Sequence, residues 1–177
     1  RFTLLETIRE YALELLSERG EEAMVRAAHA AFYLALAEDA EAEIERFGMG
    51  RGLNRLETER ANVRAALDCF RSSRDWEYAA RLVIATHKLW QFRGPIREWL
   101  TSAENVLGNL DADRSPSAFL LRFLLGMLRW VAGDGAQALV DYRMCLEPAR
   151  ARNDAALLAA ILNQQALVYG WDRRDWG

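Results

Sequence analysis

Two histidines and two cysteines carry the widest chemical repertoire in this chain. His29 and His87 each fall on or beside an apolar helical stripe, where a core or groove imidazole sits. Cys69 or Cys145 could pair with His87 as nucleophile and base, but such constellations are defined by geometry and these spacings suggest none. Nor do the four residues form the compact cluster that zinc requires. The cysteines read as small buried thiols in a reducing compartment rather than as one disulfide. No catalytic, cofactor-binding or metal-binding residue is assigned, and this piece is expected not to be an enzyme.

Gly48-Met49-Gly50-Arg51-Gly52 sets three glycines and a cation ahead of a helix, a pattern able to cradle an anion. It lacks the strand of a dinucleotide fingerprint and the Lys-Ser/Thr pair of a P-loop. Anion binding and a plain linker both stay open, and a domain boundary is placed across 48–52. Glu38, Asp39, Glu41, Glu43 and Glu45 crowd one stretch, but adjacent and alternate helix positions do not share a face. A solvated acidic face is expected. Trp76, Trp90 and Trp99 gather in one predicted hairpin, with Arg93 and Arg97 beside them. They read either as packing between helices or as an aromatic groove for a peptide or small ligand.

The elements that must position these groups read as helices throughout. Hydrophobic residues make up 51% of the 177, and only three are proline. The net charge of −3 argues against a broad nucleic-acid-binding surface. No run of apolar residues is long enough to span a membrane, no signal peptide is visible, and a cytoplasmic location is expected. Arg1 and the unterminated last helix suggest an excised fragment.

Thr3 and Glu6 have capping-box spacing for a first helix that Gly20 stops. Val25, His29, Phe32, Leu36 and Ala40 predict one face of a long helix over 21–47. Leu53, Leu56, Val63, Leu67 and Phe70 form the next stripe. Helices follow over 76–92 and 96–110, with Gly94-Pro95 between them. Ser115 and Pro116 are placed to start the next. Phe119 to Arg152 then reads as two helices joined at Gly133-Asp134-Gly135, and Ala155 to Tyr169 as one more, ended by Gly170. About eight helices are expected, in antiparallel hairpins over 76–107 and 119–152. Such hairpins need neighbours of the same kind to bury both faces.

The hairpin at 119–152 resembles the tetratricopeptide repeat. Leu125-Gly126 matches the Leu-Gly pair of its first helix, Gly133-Asp134 its turn, Ala138 the small residue at the helix crossing, and Tyr142 the aromatic of its second helix. Gly126, Ala138 and Tyr142 are therefore expected to close-pack. Arg122 and Arg129 stand where the motif has tryptophan and tyrosine, Cys145 where it has alanine, and Arg150 where it has proline. A second likeness is to bacterial STAND regulators of the LuxR, AfsR and MalT type. Arg1-Phe2-Thr3-Leu4-Leu5-Glu6-Thr7-Ile8-Arg9-Glu10-Tyr11-Ala12 resembles the segment that leaves their winged-helix module. Leu56-Glu57-Thr58-Glu59-Arg60-Ala61-Asn62-Val63-Arg64-Ala65-Ala66-Leu67 resembles the helix that opens their repeat region, and Trp90-Gln91-Phe92-Arg93-Gly94 through Trp99-Leu100 also matches that array.

These resemblances imply an all-α chain of antiparallel hairpins stacked as a right-handed superhelix. They imply an N-terminal helical segment over 1–47 and a repeat array over 53–177, truncated in its last repeat. The implied role is a signal-sensing and protein-interaction array that binds a partner protein, peptide or small inducer and relays it to an upstream nucleotide switch. A passive spacer or self-association element is the alternative. Trp90, Arg93, Arg129 and Gln165 are the expected groove residues. Nucleic acid would be bound only by other domains, and the fragment is expected to self-associate through its unpartnered end.

Overall fold

A computed structural model describes residues 6–112 and 114–172. The Thr3 capping box and residues 173–177 of the C-terminal tail lie outside the described residues. Ten α-helices and no strand occur among those described: α1 (Glu6–Glu18), α2 (Glu22–Phe47), α3 (Met49–Thr58), α4 (Arg60–Ser73), α5 (Trp76–Ala85), α6 (His87–Arg93), α7 (Ile96–Asn109), α8 (Ala118–Val131), α9 (Gly135–Ala151) and α10 (Ala155–Asp172). None of these helices is long and apolar enough to cross a membrane.

Three turns share one construction. Arg74, Gly133 and Asn153 each adopt a positive φ, of 61°, 90° and 52°. At each, the following aspartate's N–H closes back on the preceding helix: Asp75 to Phe70 O at 2.8 Å, Asp134 to Arg129 O at 2.8 Å and Asp154 to Ala149 O at 3.4 Å. This is the Schellman closure, which satisfies carbonyls left over at a helix end. The same aspartates open the next helix. The Asp134 carboxylate accepts from Gln137 N–H and that of Asp154 from Leu157 N–H, satisfying donors that the next helix leaves free. Asp75 instead receives the Ser73 hydroxyl. Chains turned this tightly must run antiparallel, so α4 packs on α5, α8 on α9 and α9 on α10.

Two apolar clusters result. The larger runs from Ala30 of α2 through Leu56, Val63, Leu82, Leu89 and Trp99 to Leu128 of α8. The smaller joins Ala138, Tyr142, Cys145 and Ala149 of α9 to Ile161 and Val168 of α10. Phe123 of α8 borders both. The first cluster includes residues on both sides of the expected 48–52 boundary, with α2 packed into the same core as α4 and α5.

The glycine-rich stretch is not a linker. Only Gly48 is non-helical, with φ of 88°, and α3 begins at Met49. Gly52 lies on α2 so closely that a Cβ would stand 2.6 Å from both Ala40 O and Ile44 Cγ1. The buried face of α2 is Ala30, Leu34, Ala37, Ala40 and Ile44, whereas Val25 and Phe32 are exposed. The expected stripe followed the largest side chains, but alanines make the close contact. Two expected helices are broken. Glu59 separates α3 from α4, and Thr86 separates α5 from α6. At the second break the Thr86 hydroxyl donates to Leu82 O at 2.7 Å. The predicted stop at Gly170 does not occur, since α10 continues to Asp172; one glycine costs a helix only about 1 kcal/mol.

Ser115 Oγ accepts from Ala118 N–H at 3.1 Å at the start of α8, while Ser117 occupies the N-cap position. Both serine hydroxyls donate to Glu77 of α5, which ties the loop before α8 to the core.

Gly52→Ala should therefore destabilise the chain by about 1–2 kcal/mol, because overpacking at about 1–3 kcal/mol outweighs alanine's better helix propensity. Gly50→Ala, with open space around its site, should be neutral or stabilise by up to ~1 kcal/mol. Urea denaturation of both variants checks this; an equal response from the two would remove the close approach at Gly52.

Candidate functional site

The polar chemistry of the described residues gathers at three places. The first lies where α4, α6 and α7 meet. Trp90 of α6 is only 4% exposed, and Gly94 permits this packing because a Cβ there would strike the indole. Arg60 and Arg64, one turn apart on α4, set their guanidinium carbons 5.3 and 5.6 Å from the ring centroid. Arg64 pairs with Glu98 of α7 at 2.8 Å, and Arg60 donates to Glu57 at 2.7 Å and to the carbonyl of Arg93 at 2.8 Å. The Arg93 guanidinium itself is exposed and donates to Asn54 at 2.7 Å.

The second place lies between α7, α8 and α9. Asp141 is 2% exposed and accepts from Arg129 at 2.5 Å, with Arg122 a further 3.7 Å away. Arg129 also reaches Glu104 of α7 at 2.8 Å. Burial raises the Asp141 pKa, and the hydrogen bond and charge of Arg129, with that of Arg122, pull it back. Burial works against the charged form of Arg129, but its bonds to Glu104 and Asp141 outweigh this and raise its pKa. The two arginines that depart from the tetratricopeptide pattern thus share one partner on α9. Gly126 lies on the same interface, where a Cβ would stand 2.8 Å from Tyr142 Cε1 and 3.2 Å from Asp141 Cβ. Its nearest neighbours are these two residues rather than Ala138, although Ala138 and Tyr142 are both fully buried.

The third place is the contact of α2 with α6. The His87 ring is mostly buried, its Nδ1 2.7 Å from Ile84 O and 3.7 Å from Glu41. Burial lowers the His87 pKa. Burial, reinforced by Glu45, raises the Glu41 carboxyl to about 7, with Lys88 opposing. Glu41 is half-buried against His87, so the acidic stretch of α2 is not uniformly solvated. Glu38 is likewise engaged, pairing with Arg81 of α5 at 2.6 Å.

The four expected groove residues do not share a cleft. Trp90 borders a cavity between α4 and α7 with Arg64, Glu98 and Ser102, and neither Arg93, Arg129 nor Gln165 lines it. Arg129 is held between two carboxylates, and Gln165 is half-buried on α10. The largest cleft described, about 660 Å³, lies instead at the α8–α9 turn, lined by Trp130, Gly133, Gly135 and Val168. Sequence reading missed Arg60 and Arg64; their one-turn spacing was visible, but the indole they cover arrives from α6. The cysteines are unpaired with each other. Cys69 is half-buried, whereas burial pushes the Cys145 thiol up to about 12. The ring nitrogen contacts of His87 are to Ile84 and Glu41.

A stretch of 107 residues is 36% identical to proteins of Mycobacterium bovis and of two Mycobacterium tuberculosis strains, which carry the provisional name of HTH-type transcriptional regulator. The match covers 60% of this chain and 12% of each relative, so it spans only a small part of their length. No family model matches the sequence, and no solved structure matches it.

Two outcomes follow from the buried charges. Arg129→Ala should cost about 3–5 kcal/mol, because it strips a buried carboxylate of its closest partner. Replacing the pair together, Arg129→Met with Asp141→Leu, should recover most of that loss in chemical denaturation. For Glu41, the folded protein keeps its proton up to about pH 7 while the unfolded chain releases it near 4.5. Its contribution is full below pH 4.5 and is lost as pH rises through 7. Glu41→Gln should therefore be more stable than wild type at pH 8 by about 1–3 kcal/mol, with the advantage shrinking toward pH 5. Denaturant midpoints at the two pH values check the sign.

Proposed function

We propose that this chain is part of the sensing and protein-interaction array of a multidomain bacterial transcriptional regulator. The observation that carries the reading is the coincidence of two features. Consecutive helices pack on their neighbours through repeated tight turns, and the sequence resembles a small share of much longer proteins named as regulators. In this reading the hairpins continue as a tetratricopeptide-like right-handed superhelix in a cytoplasmic STAND protein. An inducer, peptide or partner protein docks on the array, and the signal passes to a nucleotide switch elsewhere in the chain. DNA contact belongs to another domain. This piece carries no catalytic step and no cofactor of its own.

A spacer or self-association role is the second reading. It is favoured by the exposed apolar residues of α10, with Leu162, Leu167 and Tyr169 each more than two-fifths exposed. The readings separate in the intact regulator. Arg93→Ala removes an exposed guanidinium held only by Asn54, so it should leave folding intact. Combined with Gln165→Ala, it should reduce inducer-dependent transcription of a reporter at unchanged protein level. Normal induction in that variant, and in a chimera carrying an unrelated helical array of equal length, would establish the spacer.

A further inference from the structure

We propose that the groove between α4 and α7 binds a small carboxylate with a short apolar tail, its head group held by Arg64 and its tail directed toward the Trp90 indole. Buried donors in folded proteins nearly always find an acceptor. Among the described residues three lack one, the Trp90 Nε1–H, the Arg60 Nε–H and the Tyr142 hydroxyl, and two of the three belong to this cluster. The Trp90 Nε1–H is unpartnered although its side chain is 96% buried, and the buried Nε–H of Arg60 has no acceptor either. Arg60 is held through Nη2 by Glu57 and the Arg93 carbonyl, and the arginine that lines the groove is Arg64.

The adjoining space sets the size and polarity of the ligand. An inner chamber of about 30 Å³ is bordered by Trp90 and walled by Val63, Leu67, Val83 and Trp99. That volume admits one methyl group or a single water. It shares Arg64, Leu67, Glu98 and Ser102 with an outer cleft of about 390 Å³, rimmed by Asp68, Arg71 and Thr101. The outer cleft is within the range of small-molecule sites. A tail directed inward and a charged head beside the arginines fit this order of surfaces.

The charge favours a carboxylate over a phosphate dianion. Glu98 and Asp68 already offset Arg64 and Arg71, so the cleft has little positive charge to spare. Glu98 also shows that Arg64 accepts a carboxylate from this side. Both members of that pair are about half exposed, and an exposed pair of this kind is weak enough for a ligand to displace.

This site gives a ligand chemistry to the receiving role proposed above and depends on that reading for its biological purpose. Binding can be read on the 177-residue chain without transcription, so a failure here leaves partner docking on the array standing. The probes are butyrate, acetate and inorganic phosphate at constant ionic strength. The readout is the indole Nε1–H resonance of Trp90 in 15N NMR, assigned by its loss in Trp90→Phe. Butyrate should move it saturably and more tightly than acetate, and phosphate should not. Arg64→Gln should abolish the shift with helix content retained. Glu98→Gln, which frees Arg64, should tighten butyrate binding about two- to fivefold. An immobile resonance in both the wild type and Glu98→Gln overturns the proposal. So does an undiminished shift in Arg64→Gln, or a phosphate response as strong as that to butyrate. If Arg64→Gln loses helix content, Glu98→Gln decides.

Discussion

Ten helices among the described residues of so short a chain make the ends of helices the governing constraint. Every end leaves backbone donors or acceptors without an intrahelical partner, and burying them bare is costly. The turns at Arg74-Asp75, Gly133-Asp134 and Asn153-Asp154 solve this with two residues each. The first bends through positive φ to close the carbonyls behind it, and the second starts the helix ahead. The choice at the first position is graded. Glycine enters that conformation freely and asparagine with ease, whereas arginine is the strained choice. A connector this short leaves no slack, so each helix must return along its predecessor. The antiparallel pairs are thus set by hydrogen-bond satisfaction before any side chain is packed.

Once helices are forced side by side, the small residues decide how near they come. Gly52 on α2 and Gly126 on Tyr142 are contacts that a single methyl would disturb. The alanines of α2 serve the same purpose over a longer stretch. This explains what the sequence could and could not disclose. The α8–α9 hairpin was legible because Gly133-Asp134 is a turn with a mechanism and the flanking stripes are strong. The face of α2 was not, because alanine carries little hydrophobic signal beside Phe32 and Val25. The glycines at 48–52 read as freedom, yet one of them is present for lack of room. The break at Thr86 leaves no glycine or proline behind. There a threonine hydroxyl and a histidine ring bond carbonyls of the preceding turn, a signal visible only once the helix is seen to stop.

The candidate site was half legible for a related reason. Trp90 and Arg129 stood out in the sequence as unusual residue types, but type does not reveal partners. Arg129 looked available because it replaces an aromatic of the repeat pattern. Its replacement is matched on the facing helix, where Asp141 receives both Arg129 and Arg122. A departure from a motif can thus be one half of a structural exchange, an ion-pair core where the pattern has an aromatic one. Such an exchange is weak evidence for stability and stronger evidence that neither partner is free to bind anything else.

The contrast between the two arginine clusters separates structure from function. At Asp141 the positive charges converge on a buried carboxylate, and a ligand would have to break that pairing to enter. At Trp90 the arginines lie against an indole, their acidic partners are partly exposed, and two buried N–H groups have no acceptor. A structural cluster minimises its free energy by satisfying every member. A receiving cluster must leave something unsatisfied, because affinity for a ligand comes from bonds that the empty protein does not already make. The Tyr142 hydroxyl beside Asp141 is unpartnered too, so what distinguishes the α4–α6–α7 junction is that its unpartnered indole borders a described cleft. Its position strengthens the point. The three helices belong to different turns of the chain, and α6 follows the break at Thr86, so a ligand drawn between Arg64 and Trp90 would bear directly on how α6 sits against α4.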